Sequence, residues 1–283
     1  MNCINKDLIT SCFKELDVKH GDTIFVHSSL SSIGNECGSA VKIIEVLQNY
    51  VGSNGTLIMP TFTDNLTEPF DVSTTPSDVG IMTETFRKTD NVIRSLHPTH
   101  SVCAKGRHAA YIAEGHNLSP TPCGRNTPFY KVFELKGKVI LIGVDMNRNT
   151  MLHAIEEEAG VPYLIEGIEL PAPTYIKNHE GRTITIEKYP AGHRDFLKLT
   201  HVLRREKLMK EAFIGQATVK VIEVEQLFKL VLNILREKPD YFLCNSSYCN
   251  SCIAAKAKIY GLNLSYNNIN NKCCISNCEV CSI

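Results

Sequence analysis

Three short apolar runs constrain the fold most: TIFVH (Thr23 to His27), TLIMP (Thr56 to Pro60) and KVILIG (Lys138 to Gly143). Runs this short, with little polar alternation, read as strands covered on both faces. Helical spacing separates them. Leu8, Ile9, Cys12, Phe13 and Leu16 form one stripe; Val41, Ile44, Leu47 and Val51 form another, with Ser39 as its cap. Further helices are expected over Ile81 to Lys88, Thr150 to Ala159, Arg194 to Lys210 and up to about Arg236. Further strands are expected near Val92, over Thr183 to Tyr189 and over Thr218 to Val224. This alternation predicts an α/β fold whose sheet has helices on both faces, with its chemistry at the strands' carboxyl ends.

Composition narrows the function classes. Apolar residues make up 43% of the 283 and charged residues 21%, enough for a sizeable core. The 30 basic and 30 acidic residues cancel, which argues against a nucleic-acid protein driven by a broad basic face. No apolar run approaches the roughly 20 residues of a membrane span. The start, MNCINKDLIT, lacks the pattern of a secretion signal. The expectation is a soluble, cytoplasmic protein.

Three stretches carry candidate chemistry. HSSLSSIG (His27 to Gly34) joins a strand to a helix. Its small residues let backbone amides and hydroxyls approach an anion such as a diphosphate, though an ordinary capped turn has the same look. It matches neither the GxxxxGK[ST] nor the GxGxxG pattern. In NTMLHAIEEE (Asn149 to Glu158), Thr150, His153 and Glu156 follow at three-residue spacing, near one face of a helix. A histidine with a carboxylate in reach is a general-base unit, and a surface histidine beside an acidic run is the plainer alternative. Glu157 could compete to orient the ring. In RSLHPTHSVCAKG (Arg94 to Gly106), His97 and His100 are catalytic or structural candidates. PTFT ends a strand with Thr61 and Thr63, and PFD places Asp71 in the next loop, as wall groups for a polar ligand. GxSxG and HExxH are absent from the sequence.

Taken in order, these blocks resemble the aminoglycoside 3-N-acetyltransferase family, also called the antibiotic N-acetyltransferases. The matching stretches are HSSLSSIG, GTLIMPTFT, PFD, PSDVGIMTETFR, RSLHPTHSVCAKG, PCGRNTPF, LIGVD and TMLHAIEEE, spread over about residues 5 to 240. Thr127-Pro128 stands where the family usually has Ser-Pro. The resemblance implies a mixed central sheet distinct from the GNAT fold, with acetyl-CoA as donor and an aminoglycoside amino group as acceptor. It implies that His153 and Glu156 are catalytic. His27, Ser28, Ser29, Leu30, Ser31, Ser32, Ile33 and Gly34, with Ser101, would face the donor. Thr61, Thr63, Asp71 and Asp145 would face the acceptor. Asp64 and Glu84, with Asp71, Asp145 and Glu156, would draw a polycationic ligand despite zero net charge. Acetylation of a non-antibiotic amine is an alternative.

The remaining signal is cysteine. Seven of 12 lie beyond residue 243: Cys244, Cys249, Cys252, Cys273, Cys274, Cys278 and Cys281. Cys249/Cys252 and Cys278/Cys281 are Cys-x-x-Cys pairs, the spacing of a structural zinc site, which the long spacer and three extra cysteines leave open to other ligand sets. A weakly ordered tail and redox use are the alternatives. Two units follow: residues 1–240, an acetyl-CoA-dependent domain, and residues 241–283, a Cys-rich extension. A rival reading is a catalytically silent metal- or thiol-binding protein on the same fold.

Overall fold

The computed structural model describes residues 6–34, 39–63, 68–119, 121–165, 174–177, 183–186 and 192–262. The strands are β1 (Thr23–Ser28), β2 (Thr56–Pro60), β3 (Ile93–Arg94), β4 (Val102–Gly106), β5 (Lys138–Ile142), β6 (Thr174–Lys177), β7 (Thr183–Ile186), β8 (Met209–Ile214) and β9 (Ala217–Glu223). The first helices are α1 (Lys6–Glu15), α2 (Leu30–Ile33), α3 (Ala40–Val51), α4 (Ile81–Arg87), α5 (Ala109–Ala113) and α6 (Pro128–Glu134). They continue with α7 (Met151–Ala159), α8 (Pro162–Ile165), α9 (Lys198–Arg205), α10 (Val224–Glu237) and α11 (Asn250–Tyr260).

Seven strands form one mixed sheet in the order β3-β4-β2-β1-β5-β9-β8. The three apolar runs of the sequence are its parallel centre: β1 pairs with β2 on one side and with β5 on the other. Residues of β2 and β5 are buried throughout, as strands covered on both faces must be. Antiparallel strands flank this centre, β4 on β2 and β9 on β5. The side-chain period of two splits the core. Ile24, Val26, Leu57, Met59, Ile140 and Ile142 face one way, with Phe13, Ile44 and Leu47 of α1 and α3. Phe25, Ile58, Val139 and Leu141 face the other, with residues of α5, α6, α7, α9 and α10. The sheet is therefore mixed and covered by helices on both faces. Among the described residues, no helix is long and apolar enough to cross a membrane.

The chain departs from the sequence expectation in two places. The helix expected over Arg194 to Lys210 is the shorter α9, and Met209 already begins a strand. The cause lies further on: Gly215, at φ +60°, and Gln216 form a two-residue hairpin turn, since Ile214 pairs with Ala217. That turn folds Met209–Ile214 back onto β9. The strand expected over Thr183 to Tyr189 is β7, paired with β6 in a separate two-stranded sheet; residues 187–189 lie outside the described residues. Beyond residue 240, Phe242, Leu243, Cys249, Cys252 and Ala255 join the same core cluster as α7 and α10. The extension up to residue 262 thus shares a core with the preceding domain.

Candidate active site

Two candidate blocks leave the sheet side by side, because β1 and β5 are parallel neighbours with Ser28 opposite Ile142. The serine-rich block leaves β1, and the Ser29 amide donates to Ile142 O at 3.0 Å. The hydroxyls of Ser29, Ser31 and Ser32 are linked at 3.0 Å. Leu30 to Ile33 is a single helical turn, and Gly34 follows at φ +104°. Gly143, the first residue after β5, has φ +66°, and a Cβ there would sit 2.5 Å from Ser32 Cβ. Glycine is therefore required for this close fit. Burial against Phe25 pushes His27 down to about 3, so its ring stays neutral and offers no cation to a phosphate.

The second block leaves β5. Asp145, exposed, caps a 3-10 turn over Met146–Arg148 by accepting from the Asn147 amide at 2.9 Å. Helix α7 then carries His153 and Glu156 on one face, as their spacing predicts. His153 Nδ1 and Glu156 Oε2 lie 2.8 Å apart. Glu156 is fully buried, and its other oxygen accepts from Tyr163 Oη at 2.8 Å and from Arg194 Nε at 2.7 Å. Burial alone would raise this carboxyl; the Arg194 guanidinium, with His153 and Tyr163, brings it below the ordinary value. Glu156 is thus held as a carboxylate from three sides. The His153 ring remains partly exposed and packs on the Phe196 ring at 5.2 Å. Glu157 does not compete for the ring. It accepts from Thr121 Oγ1 and from the Cys123 amide at 3.1 Å, and burial pushes it up to about 7.

Sequence reasoning missed Tyr163 and Arg194, because neither lies within a helical turn of Glu156. Four buried polar atoms near these two blocks find no hydrogen-bond partner among the described residues: His27 Nε2, Ser28 Oγ, Asn149 Nδ2 and Thr150 Oγ1. Unpaired buried groups are costly, so a site that leaves several together is one that a polar ligand can complete.

Other expected site residues turn inward. Thr61 and Ser101 are fully buried, and Thr63 is 3% exposed. Ser101 Oγ donates to Thr61 O at 2.7 Å, and Thr61 Oγ1 to Ser101 O at 3.1 Å. Arg94 ties them together, donating to Ser101 Oγ at 3.0 Å and Thr61 O at 2.7 Å, with its guanidinium over the Phe70 ring. Thr63 Oγ1 donates to Pro76 O at 3.2 Å. These hydroxyls brace the wall and do not line its surface. Asp71 is more open; hydrogen bonds from Ser73 and Thr74 hold its carboxyl well below the usual range. Glu84 is committed to Arg87, Lys88 and the Ser77 amide, and Asp64 lies outside the described residues. His97 and His116 stack at 4.5 Å in the interior. Burial, helped by neighbouring histidines, holds His97 and His100 well below the ordinary histidine value.

The cysteine expectation changes as well. Cys249 and Cys252 stand together as their spacing predicts, but their partners are Cys244 and His193; Cys278 and Cys281 lie outside the described residues.

Comparison with known proteins agrees with this geometry. The profile of the aminoglycoside 3-N-acetyltransferase family matches residues 25–236. The aminoglycoside N(3)-acetyltransferase IV of Salmonella sp. is 32% identical over 232 residues, 81% of this chain and 86% of that protein. The crystal structure of aminoglycoside acetyltransferase AAC(3)-IVa superposes with a TM-score of 0.81 at 30% identity, covering 91% of this chain and 98% of that one. Histidine-to-alanine mutants of that enzyme have been solved with gentamicin and with apramycin. AAC-IIIb, solved with CoASH, shares the fold at 21% identity, with a TM-score of 0.74 over 84% of this chain and 98% of its own. The chain belongs to the aminoglycoside 3-N-acetyltransferase family, and is an acyltransferase.

Proposed function

We propose that this protein transfers the acetyl group of acetyl-CoA to the 3-amino group of an aminoglycoside in the cytoplasm, with His153 as the general base. Donor and acceptor meet in one ternary complex, so a bimolecular attack becomes a positioned one. Glu156 holds Nδ1, and Nε2 takes the proton as the amine nitrogen attacks the thioester carbonyl. The C–N bond forms, the C–S bond breaks, and the CoA sulfur leaves and is protonated. The Ser28-to-Gly34 turn receives the donor's phosphates through amides and hydroxyls. Asp71 and Asp145 supply negative charge toward the acceptor's ammonium groups. The observation that carries this reading is the buried carboxylate behind His153, fixed by Tyr163 and Arg194. Such a clamp sets one ring tautomer and stabilises the imidazolium that forms.

The test is release of CoA thiol across a panel of aminoglycosides and simple amines. Wild-type protein should release thiol only with a suitable acceptor. His153→Ala should lower kcat by about 10²- to 10⁴-fold while leaving acetyl-CoA binding intact. Retention of wild-type kcat refutes the base assignment.

A further inference from the structure

Four side chains of metal-ligand type converge beside the catalytic pair: His193, Cys244, Cys249 and Cys252, with their ligand atoms all within 4.8 Å of one another. They come from two separate segments. Cys249 is the N-cap residue of α11 and Cys252 lies in its first turn, so both sulfurs reach the same helix end. His193 lies in the irregular stretch before α9. Its Nδ1 is 3.5 Å from Cys252 Sγ and 3.7 Å from Cys249 Sγ. A tetrahedral zinc ion, with Zn–S near 2.3 Å and Zn–N near 2.1 Å, sets nitrogen and sulfur ligands ~3.6 Å apart. Both measured edges sit on that spacing. The Cys244 amide donates to Cys252 Sγ at 3.3 Å, an outer contact of the kind that steadies a metal-bound thiolate. Zinc with three thiolates and a neutral imidazole carries one net negative charge, and two cations are close to it. Arg194 adjoins His193 in the chain, and Lys256 donates to Cys244 O at 2.8 Å. Three thiols that merely filled the core would need neither an imidazole nitrogen among them nor flanking cations.

We propose that His193, Cys244, Cys249 and Cys252 bind one zinc ion tetrahedrally, releasing three thiol protons to solvent, and that this centre holds Arg194 in place behind Glu156. Arg194 Nη1 donates to His193 O at 3.1 Å while its Nε reaches Glu156 at 2.7 Å. The guanidinium also lies over the Tyr163 ring, 4.5 Å from its centroid. A metal that fixes His193 therefore fixes the peptide carrying the counterion of the catalytic carboxylate. His193 is in this sense a positioning residue. The metal site stands on its own ligands; the coupling rests on the catalytic reading of His153 and Glu156.

The experiment uses the full-length chain. Metal analysis after expression with zinc should give about one zinc per chain. Metal-free protein under reducing conditions should bind about one cobalt, with the thiolate charge-transfer and intense visible bands of a tetrahedral centre. His193→Ala and Cys244→Ser should abolish stoichiometric binding, whereas Cys281→Ser and the alternative ligand in His193→Cys should keep it. No metal on the wild-type chain, an octahedral cobalt spectrum, or dependence on Cys281 with indifference to Cys244 overturns the site. Removing zinc from folded protein should lower kcat by about 10- to 100-fold with KM for acetyl-CoA little changed, reversed by added zinc. Zinc-bound His193→Cys should keep wild-type kcat. Unchanged kcat in zinc-free, folded protein overturns the coupling. Failure of the His153 assignment would leave the zinc and cobalt stoichiometry as it is, so the two results are separable.

Discussion

Replacing Glu156 by glutamine keeps the side chain's shape and removes its charge, which isolates what the carboxylate contributes. Proton transfer from the amine turns His153 into an imidazolium 2.8 Å from Glu156. Two unit charges about 4 Å apart interact by about 4 kcal/mol at an effective dielectric of about 20. A neutral hydrogen bond, about half as strong as a charge-assisted one, survives in the variant. The transition state therefore loses about 2–4 kcal/mol, which is about 30- to 1,000-fold in kcat. Because the interaction strengthens only as charge develops, kcat and kcat/KM should fall together while KM values change little. The variant also leaves the nearly buried Arg194 without its carboxylate, so its unfolding temperature should drop by several degrees. Initial-rate thiol release, measured well below that temperature at saturating acetyl-CoA, reads the catalytic part alone. A folded Glu156→Gln protein with kcat within about threefold of wild type would refute the electrostatic role argued from the three donors.

The other expectations concern the supporting structure. Gly143→Ala forces a side chain into a left-handed backbone, at about 1–2 kcal/mol, and against Ser32; KM for acetyl-CoA should rise and the unfolding temperature fall, and wild-type values of both would show that the serine turn is not fixed by this contact. Glu157 sits at about 7 in the folded protein, above its unfolded value, so the native state binds the extra proton and stability declines as pH rises from about 4.5 to about 7. Glu157→Gln should flatten that part of the stability profile; an unaltered slope would place the titration elsewhere. Arg94→Lys gives up the fork that joins Ser101 to Thr61 and should cost at least about 2 kcal/mol in denaturant unfolding, with a loss below half of that showing the wall to be braced otherwise.

How much was legible in the sequence depended on whether the deciding contact was local. The parallel centre could be read from TIFVH, TLIMP and KVILI because burial on both faces leaves no polar alternation. His153 and Glu156 were legible because both ends of their hydrogen bond lie within one helical turn. Arg194 was not: its partner is 38 residues away, and nothing near it in sequence calls for a carboxylate. The same limit misplaced Thr61, Thr63 and Ser101, whose hydroxyls at strand ends look ligand-facing until Arg94 closes over them. It also divided the cysteines wrongly. A Cys-x-x-Cys pair announces itself, whereas His193 and Cys244 are single residues brought in by tertiary structure. The strand at Met209 was hidden by favourable helical residues before it and was set by the Gly215-Gln216 turn after it.

The clamp on Glu156 draws on residues 156, 163 and 194, which emerge from the ribosome in that order. A nascent chain stopped short of Arg194 could already pair β1, β2 and β5 and shape the serine turn, yet its carboxylate would lack the cation that makes burial tolerable. Competence for chemistry therefore arrives late in synthesis, after the fold's central framework exists, and a C-terminally shortened fragment would retain much of the architecture with an unfinished engine.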